Sequence, residues 1–164
     1  MYNPDMVRRL ALPLVALFVL AACESREVDK DLKIVDVHTG WYDAGVIAGG
    51  QNKLVPSVSI GLQNVSDRDI ASVQLNAVFK RVGEDTAWGE HFIRAIDTDG
   101  LKAGLTSGNI VLRSSLGYTG SQSRIQMLQN KDFVDARVEI FGKHGSRTWV
   151  KMAEYQIDRQ LLTE

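Results

Sequence analysis

Between residues 34 and 157 apolar and polar side chains alternate at period two, in short runs broken by turn-forming residues. A strand turns successive side chains to opposite sides, so this pattern calls for sheets with one buried face. The clearest run covers residues 70–81, with Val73, Leu75, Ala77 and Phe79 on one side and Gln74, Asn76 and Lys80 on the other. Residues 55–63 set Val58, Ile60 and Leu62 against Ser57, Ser59, Gly61 and Gln63, and Pro56 suits a strand end. Further runs cover 34–38, 88–96, 109–114, 134–141 and 148–157. Val134, Ala136, Val138 and Ile140 form the expected inner face of one. The last run divides Trp149, Lys151, Ala153 and Tyr155 from Val150, Met152 and Glu154. One short helical piece stands at 124–130, where Ile125 and Leu128 are spaced i, i+3 and Ser121 or Ser123 is available as a cap. No βαβ rhythm and no internal repeat interrupts the pattern. The expectation is all-β: a single immunoglobulin-like antiparallel β-sandwich of about seven strands.

Ahead of the strands, Arg8 and Arg9 precede an apolar run at 10–22 that ends in Leu20-Ala21-Ala22-Cys23. A membrane-spanning helix needs about 20 apolar residues. This run is shorter, holds Pro13, and is followed at once by Glu24, Arg26, Glu27 and Asp29. It reads as a signal peptide rather than a span. Its Leu-x-small-Cys ending resembles the lipobox of bacterial lipoproteins. The resemblance implies cleavage between Ala22 and Cys23, with Cys23 becoming the acylated mature N-terminus. Two or more acyl chains anchor a protein stably to a membrane without spanning it. In such lipoproteins an aspartate after the cysteine favours inner-membrane retention. Glu24 stands there, which implies the outer membrane with the domain facing the periplasm. The expected division is a signal peptide at 1–22, a lipidated cysteine and charged tether at 23–33, and the sandwich at 34–164.

Loss of Asp5, Arg8 and Arg9 with the leader takes the 19 basic and 20 acidic residues to 17 and 19, a formal net charge of −2. No basic face stands out, which argues against nucleic acid as a partner. Cys23 is the one cysteine, so the domain has neither a disulfide nor a thiolate ligand and depends on packing.

A second resemblance covers residues 55–112. Val58-x-Ile60-x-Leu62-x-Asn64-x-Ser66, then Ile70-x-x-Val73-x-Leu75-x-x-x-Phe79, then Leu101-x-x-Gly104-x-Thr106 is similar to the FxLyD family of small extracytoplasmic β-sandwiches. Ala103 stands where that family favours proline. The resemblance implies a binding or scaffold module without catalytic residues.

Reactive constellations are not evident. His38, His91 and His144 fall in separate segments, and Glu90 beside His91 points to the opposite face of a strand. Asp97-Thr98-Asp99-Gly100 lacks the first and twelfth carboxylates of a calcium loop and reads as a turn. Gly117-Tyr118-Thr119-Gly120-Ser121 is not a nucleophile elbow. The glycine-rich stretch at 40–50 lacks a phosphate-binding pattern and reads as a flexible loop. We therefore expect no enzyme, catalytic residue, metal or cofactor. Trp41 and Tyr42 beside that loop are the candidate partner-binding residues, since interfaces favour aromatics. The expected function is a lipid-anchored adaptor for another envelope protein. The alternative is a carrier holding a lipid or other apolar small molecule between the sheets or under the loop.

Overall fold

A computed structural model describes residues 27–162. Ala22 and Cys23 lie outside the described residues. Two sheets pack face to face. The first holds β1 (Leu32–Val46), β2 (Asn52–Asn64), β5 (Ile110–Arg113), β6 (Tyr118–Gly120) and β9 (Leu161–Leu162). Its order is β5-β2-β1-β9, with β6 also paired to β2. The second holds β3 (Val73–Arg81), β4 (Ala87–Ile96), β7 (Ala136–His144) and β8 (Val150–Gln156), in the order β4-β3-β7-β8. All pairings are antiparallel except β9 on β1. Successive strands are thus dealt between two sheets as in an immunoglobulin-type sandwich. Nine strands replace the seven expected, because β6 and β9 are too short to carry a period.

The inner faces follow residue parity. Val58, Ile60 and Leu62 from β2, Val73, Leu75, Ala77 and Phe79 from β3, and Ala136, Val138 and Ile140 from β7 are all fully buried. Val134, expected on the same inner face, precedes β7 and is exposed. In β8 a bulge opposite Ile140 and Phe141 inserts Met152. Val150 lies to one side of it, Ala153 and Tyr155 to the other. Val150, Met152 and Tyr155 consequently pack on the core while Lys151 and Glu154 are exposed, so the single division of this strand fails at the bulge.

The expected helix forms as α2, Arg124–Gln129. Ser123 caps it by accepting from the Gln126 amide, and the Gln126 side chain accepts from the Ser123 amide in return. This reciprocal box satisfies two amides that the first helical turn leaves open. A second short helix, α1 (Val28–Asp31), corrects the expected tether. Val28 and Leu32 are buried, so residues 28–33 belong to the fold rather than to the tether.

The glycine-rich stretch is corrected too. Residues 40–46 continue β1, and only 47–51 form the connection. Gly40 sits in that strand because β9 crosses it closely. A Cβ there would meet the Leu162 side chain and the Gln160 carbonyl oxygen.

At the start of β1, Leu32 pairs with Asn64. Asn64 is fully buried and pins the neighbouring loops. Its amide nitrogen donates to the Arg68 oxygen at 2.8 Å and the Leu101 oxygen at 2.9 Å. Its carbonyl accepts from the Ser66 amide at 3.0 Å and hydroxyl at 2.7 Å. Those bonds give the Asn-x-Ser turn a structural reason, since a buried polar group must be paired.

Candidate functional site

Three places hold the residues of interest: the aromatic interior, the outer face of the first sheet, and the outer face of the second. Trp41 belongs to the interior. Strand alternation through β1 turns it inward opposite Pro56, and it is fully buried. Its ring meets Phe133 edge-on at 4.6 Å between centroids, Tyr118 at 5.6 Å and Trp88 at 6.2 Å. Phe133 and Tyr118 meet in turn at 4.5 Å. Such pairs add to the area that each ring buries. Trp41 is therefore a core residue, and the expectation that it contacts a partner is corrected. A partner cannot reach a side chain closed off on every side.

Tyr42, one residue on, points the other way. It lines a cleft of about 620 Å³ on the outside of the first sheet, with His38, Ser57, Ser59, Val111, Arg113 and Leu162. The Arg113 guanidinium lies 3.5 Å from the centre of the Tyr42 ring, a close cation–π contact. Leu161 and Leu162 of β9 form one wall, held where the Gln160 side chain donates to the Thr39 oxygen at 2.8 Å. The floor of Ser57 and Ser59 is the polar parity of β2, opposite Val58 and Ile60. The cleft is thus polar at its base and aliphatic at one wall, and it is separate from the filled space between the sheets.

The second sheet carries a charge network on its outer face. Glu139 of β7 accepts from Lys80 of β3 at 2.8 Å, from Arg137 at 3.0 Å and from Lys151 of β8 at 3.1 Å. Arg137 and Lys151 also hold Glu154, at 3.1 and 2.6 Å. The Lys80 hydrogen bond is the main cause that brings the Glu139 carboxyl from its ordinary 4.5 down to about 2; burial opposes it and Lys151 assists. Beside the network Phe92 and Trp149 meet edge-on at 5.9 Å, and the Lys143 ammonium lies 4.8 Å from the Trp149 ring centre. Trp149 thus stands outside the sandwich core. Lys80, Arg137 and Glu139 could have been singled out from parity, since they fall opposite Phe79, Ala136 and Val138. Their mutual contact needed the β3–β7 register.

A carboxyl with a depressed folded pKa stabilises the fold above its unfolded pKa and loses that contribution as pH falls towards the folded value. For Glu139 the window runs from about 4.5 down to about 2. Glu154, also lowered through Lys151, has the same sign. The urea midpoint is expected to hold between pH 7 and 5 and to fall below 4.5, with a shallower fall in Glu139→Gln. At neutral pH Glu139→Gln should already be weaker, by on the order of 1–3 kcal/mol for lost charge-assisted bonds. Identical pH slopes in the two proteins would show that the network does not act this way.

The three histidines remain apart. His38 lines the cleft, His91 faces the edge of β5 with its Nδ1 2.9 Å from the Arg113 amide, and His144 ends β7. Among the described residues, no three of His, Cys, Asp and Glu are grouped to hold a metal ion, and no helix is long and apolar enough to cross a membrane.

The architecture is that of an all-β sandwich protein built from two packed sheets. No family model and no curated protein matches it.

Proposed function

We propose that this protein is a lipid-anchored module of the bacterial cell envelope, held by acyl chains on Cys23 and acting by binding another envelope protein. The reading rests first on the Leu20-Ala21-Ala22-Cys23 pattern. The observation that carries it into the structure is the position of Val28, which is buried in the core only five residues beyond Cys23. Five residue steps reach at most about 18 Å. Acylation at Cys23 would therefore keep the whole sandwich beside the lipid, where confinement raises the effective concentration for membrane-bound partners. The surfaces offered to such a partner are the Phe92–Trp149 side of the second sheet and the Tyr42–Arg113 cleft. Tyr42 stays in the reading and Trp41 leaves it. With Glu24 after the cysteine, the outer membrane facing the periplasm is the proposed location.

The cleft also favours a second reading, a carrier of a small molecule. Its Ser57, Ser59, His38 and Arg113 lining suits a ligand with a polar head better than a wholly apolar one. The space between the sheets, expected to hold such a ligand, is occupied by Trp41, Phe79, Ile60 and Leu75.

The test is the mature N-terminus and its consequence. Mass spectrometry of the membrane fraction should find Cys23 first and carrying a thioether-linked diacylglycerol. Cys23→Ser should accumulate as the unprocessed precursor, or be released from the membrane if another peptidase cleaves it. A Cys23→Ser protein that is processed and membrane-bound like the parent sinks the lipoprotein reading. Crosslinking from a tag set beyond Glu164 on a spacer, in cells, then separates the two binding readings. A defined envelope protein recovered with the acylated form alone supports the adaptor, and a co-purifying small molecule lost in Arg113→Ala supports the carrier.

A further inference from the structure

We infer that the end of the sandwich where α1 enters is the face that rests on the lipid surface, and that Val65 and Leu105 are its contact residues. The inference rests on the acylation of Cys23 proposed above. It starts from where the chain enters the fold. Asp31, the last residue of α1, accepts a hydrogen bond from the Val65 amide at 2.9 Å, so the turn after β2 lies directly beside the tether's entry. The Asn64 amide donates to the Leu105 oxygen at 2.9 Å, and Gly104 donates to the Asn64 oxygen at 2.9 Å, which brings the loop before β5 to the same place.

These two loops present aliphatic side chains to solvent: Val65 is 40% exposed and Leu105 54%. Scattered exposed aliphatics are ordinary. The loops that carry these two are joined through Asn64, and they stand at the one end that a reach of about 18 Å holds against the bilayer. The buried Asn64 amide, bonded to Arg68, Leu101 and Ser66, holds the Val65 turn in a fixed shape. Exposed Lys33 and Lys102 flank the pair and can lay their stems on the interface while their ammonium groups stay with the headgroups. Asp67, Asp69, Asp97 and Asp99 are exposed in the turns at this end and limit the contact to a shallow one.

The same geometry sets the opposite end free. β1 runs from Leu32 at the tether to Val46, and 15 residues of strand with two bulges span roughly 45 Å. The hairpin tip with exposed Val46 and Ile47 is therefore carried away from the membrane and is available to a partner in the aqueous space.

The experiment uses the full acylated protein in vesicles of phosphatidylethanolamine and phosphatidylglycerol. Single cysteines are introduced as Val65→Cys, Leu105→Cys and, as the far control, Val46→Cys, and each is labelled with a polarity-sensitive fluorophore while Cys23 is blocked by its acyl thioether. Labels at 65 and 105 should shift to the blue and be quenched several-fold more strongly by nitroxide-bearing lipids than the label at 46. Equal quenching at all three sites, or stronger quenching at 46, overturns the inference while leaving the anchor intact. Protein that lacks the diacylglycerol on Cys23 and does not sediment with vesicles overturns the anchor itself, and the orientation with it.

Discussion

Trp41→Ala should be among the most damaging single substitutions in the folded domain, lowering its stability by about 4 kcal/mol. Emptying a fully buried tryptophan site costs about 3–5 kcal/mol, because the lost transfer free energy is joined by the cavity left behind. Collapse around that cavity is opposed here from three sides, since Phe133, Tyr118 and Trp88 are each held by different elements. A domain of ordinary stability has only about 5–15 kcal/mol in all. With a urea dependence near 2 kcal/mol/M, the midpoint should move down by about 2 M. Trp41→Phe should do far less harm. Its ring keeps most of the contacts, and the indole Nε1–H it removes has no acceptor among the described residues. A loss under about 1 kcal/mol in Trp41→Ala would mean that the residue is not at the centre of the core. Tyr42→Ala is the proper probe of binding, because it empties the cleft beside Arg113 without touching the interior.

Gly117→Ala should be nearly as costly, although it adds a single methyl group. An alanine Cβ at this position would fall on the carbonyl oxygen of Leu54, with the carbonyl carbon and the Val55 side chain close behind. A flexible side chain could swing aside, but strand backbone cannot. The substitution must therefore push β6 away from β2, whose pairing begins at Leu54 opposite Tyr118. Tyr118 would be drawn from its contacts with Trp41, Trp88 and Phe133 as a result. Overpacking of this kind costs about 1–3 kcal/mol and more when backbone must move, so about 3 kcal/mol is expected. The near-ultraviolet circular dichroism of the aromatic cluster should weaken with it. Gly108→Ala is the control: no atom lies within 4 Å of a Cβ there, and its stability should stay within about 0.5 kcal/mol of the parent. Equal stability of the two variants would show that β6 does not pack as described.

Much of the sandwich was legible because its strands are amphipathic ribbons whose parity runs unbroken. Val73 to Phe79 and Val58 to Leu62 could be assigned to a buried face from alternation alone, and they are fully buried. The helix was legible through Ile125, Leu128 and a serine cap, which the structure fixes as Ser123 rather than Ser121, although Ile125 proves exposed and the buried pair is Met127 and Leu128. Errors fell where parity is interrupted. A bulge after Val35, with Asp36 at a positive φ of 51°, breaks the first run, so β1 could not be followed through Gly40 to Trp41. The bulge at Met152 did the same to β8. The cleft was not legible because β5 and β9, which wall it, lie far along the chain from the β1–β2 hairpin that floors it. The Glu139 network escaped for the same reason, since Lys80, Arg137 and Lys151 meet only across three strands.

Residue order by itself determined the all-β class, the short helix and the parity of each unbroken strand. These are local matters, set by which side chains stand two positions apart and which residues close a turn. It also supplied the motif at Cys23, which is a matter of sequence alone. Only the tertiary structure decided that Trp41 is interior and Tyr42 exterior, that Val28 belongs to the core, and that the loops carrying Val65 and Leu105 are joined where the chain enters. A bulge or a crossing is defined against a partner strand. Until the partner is in place, nothing in the chain says which face a residue beyond it will take.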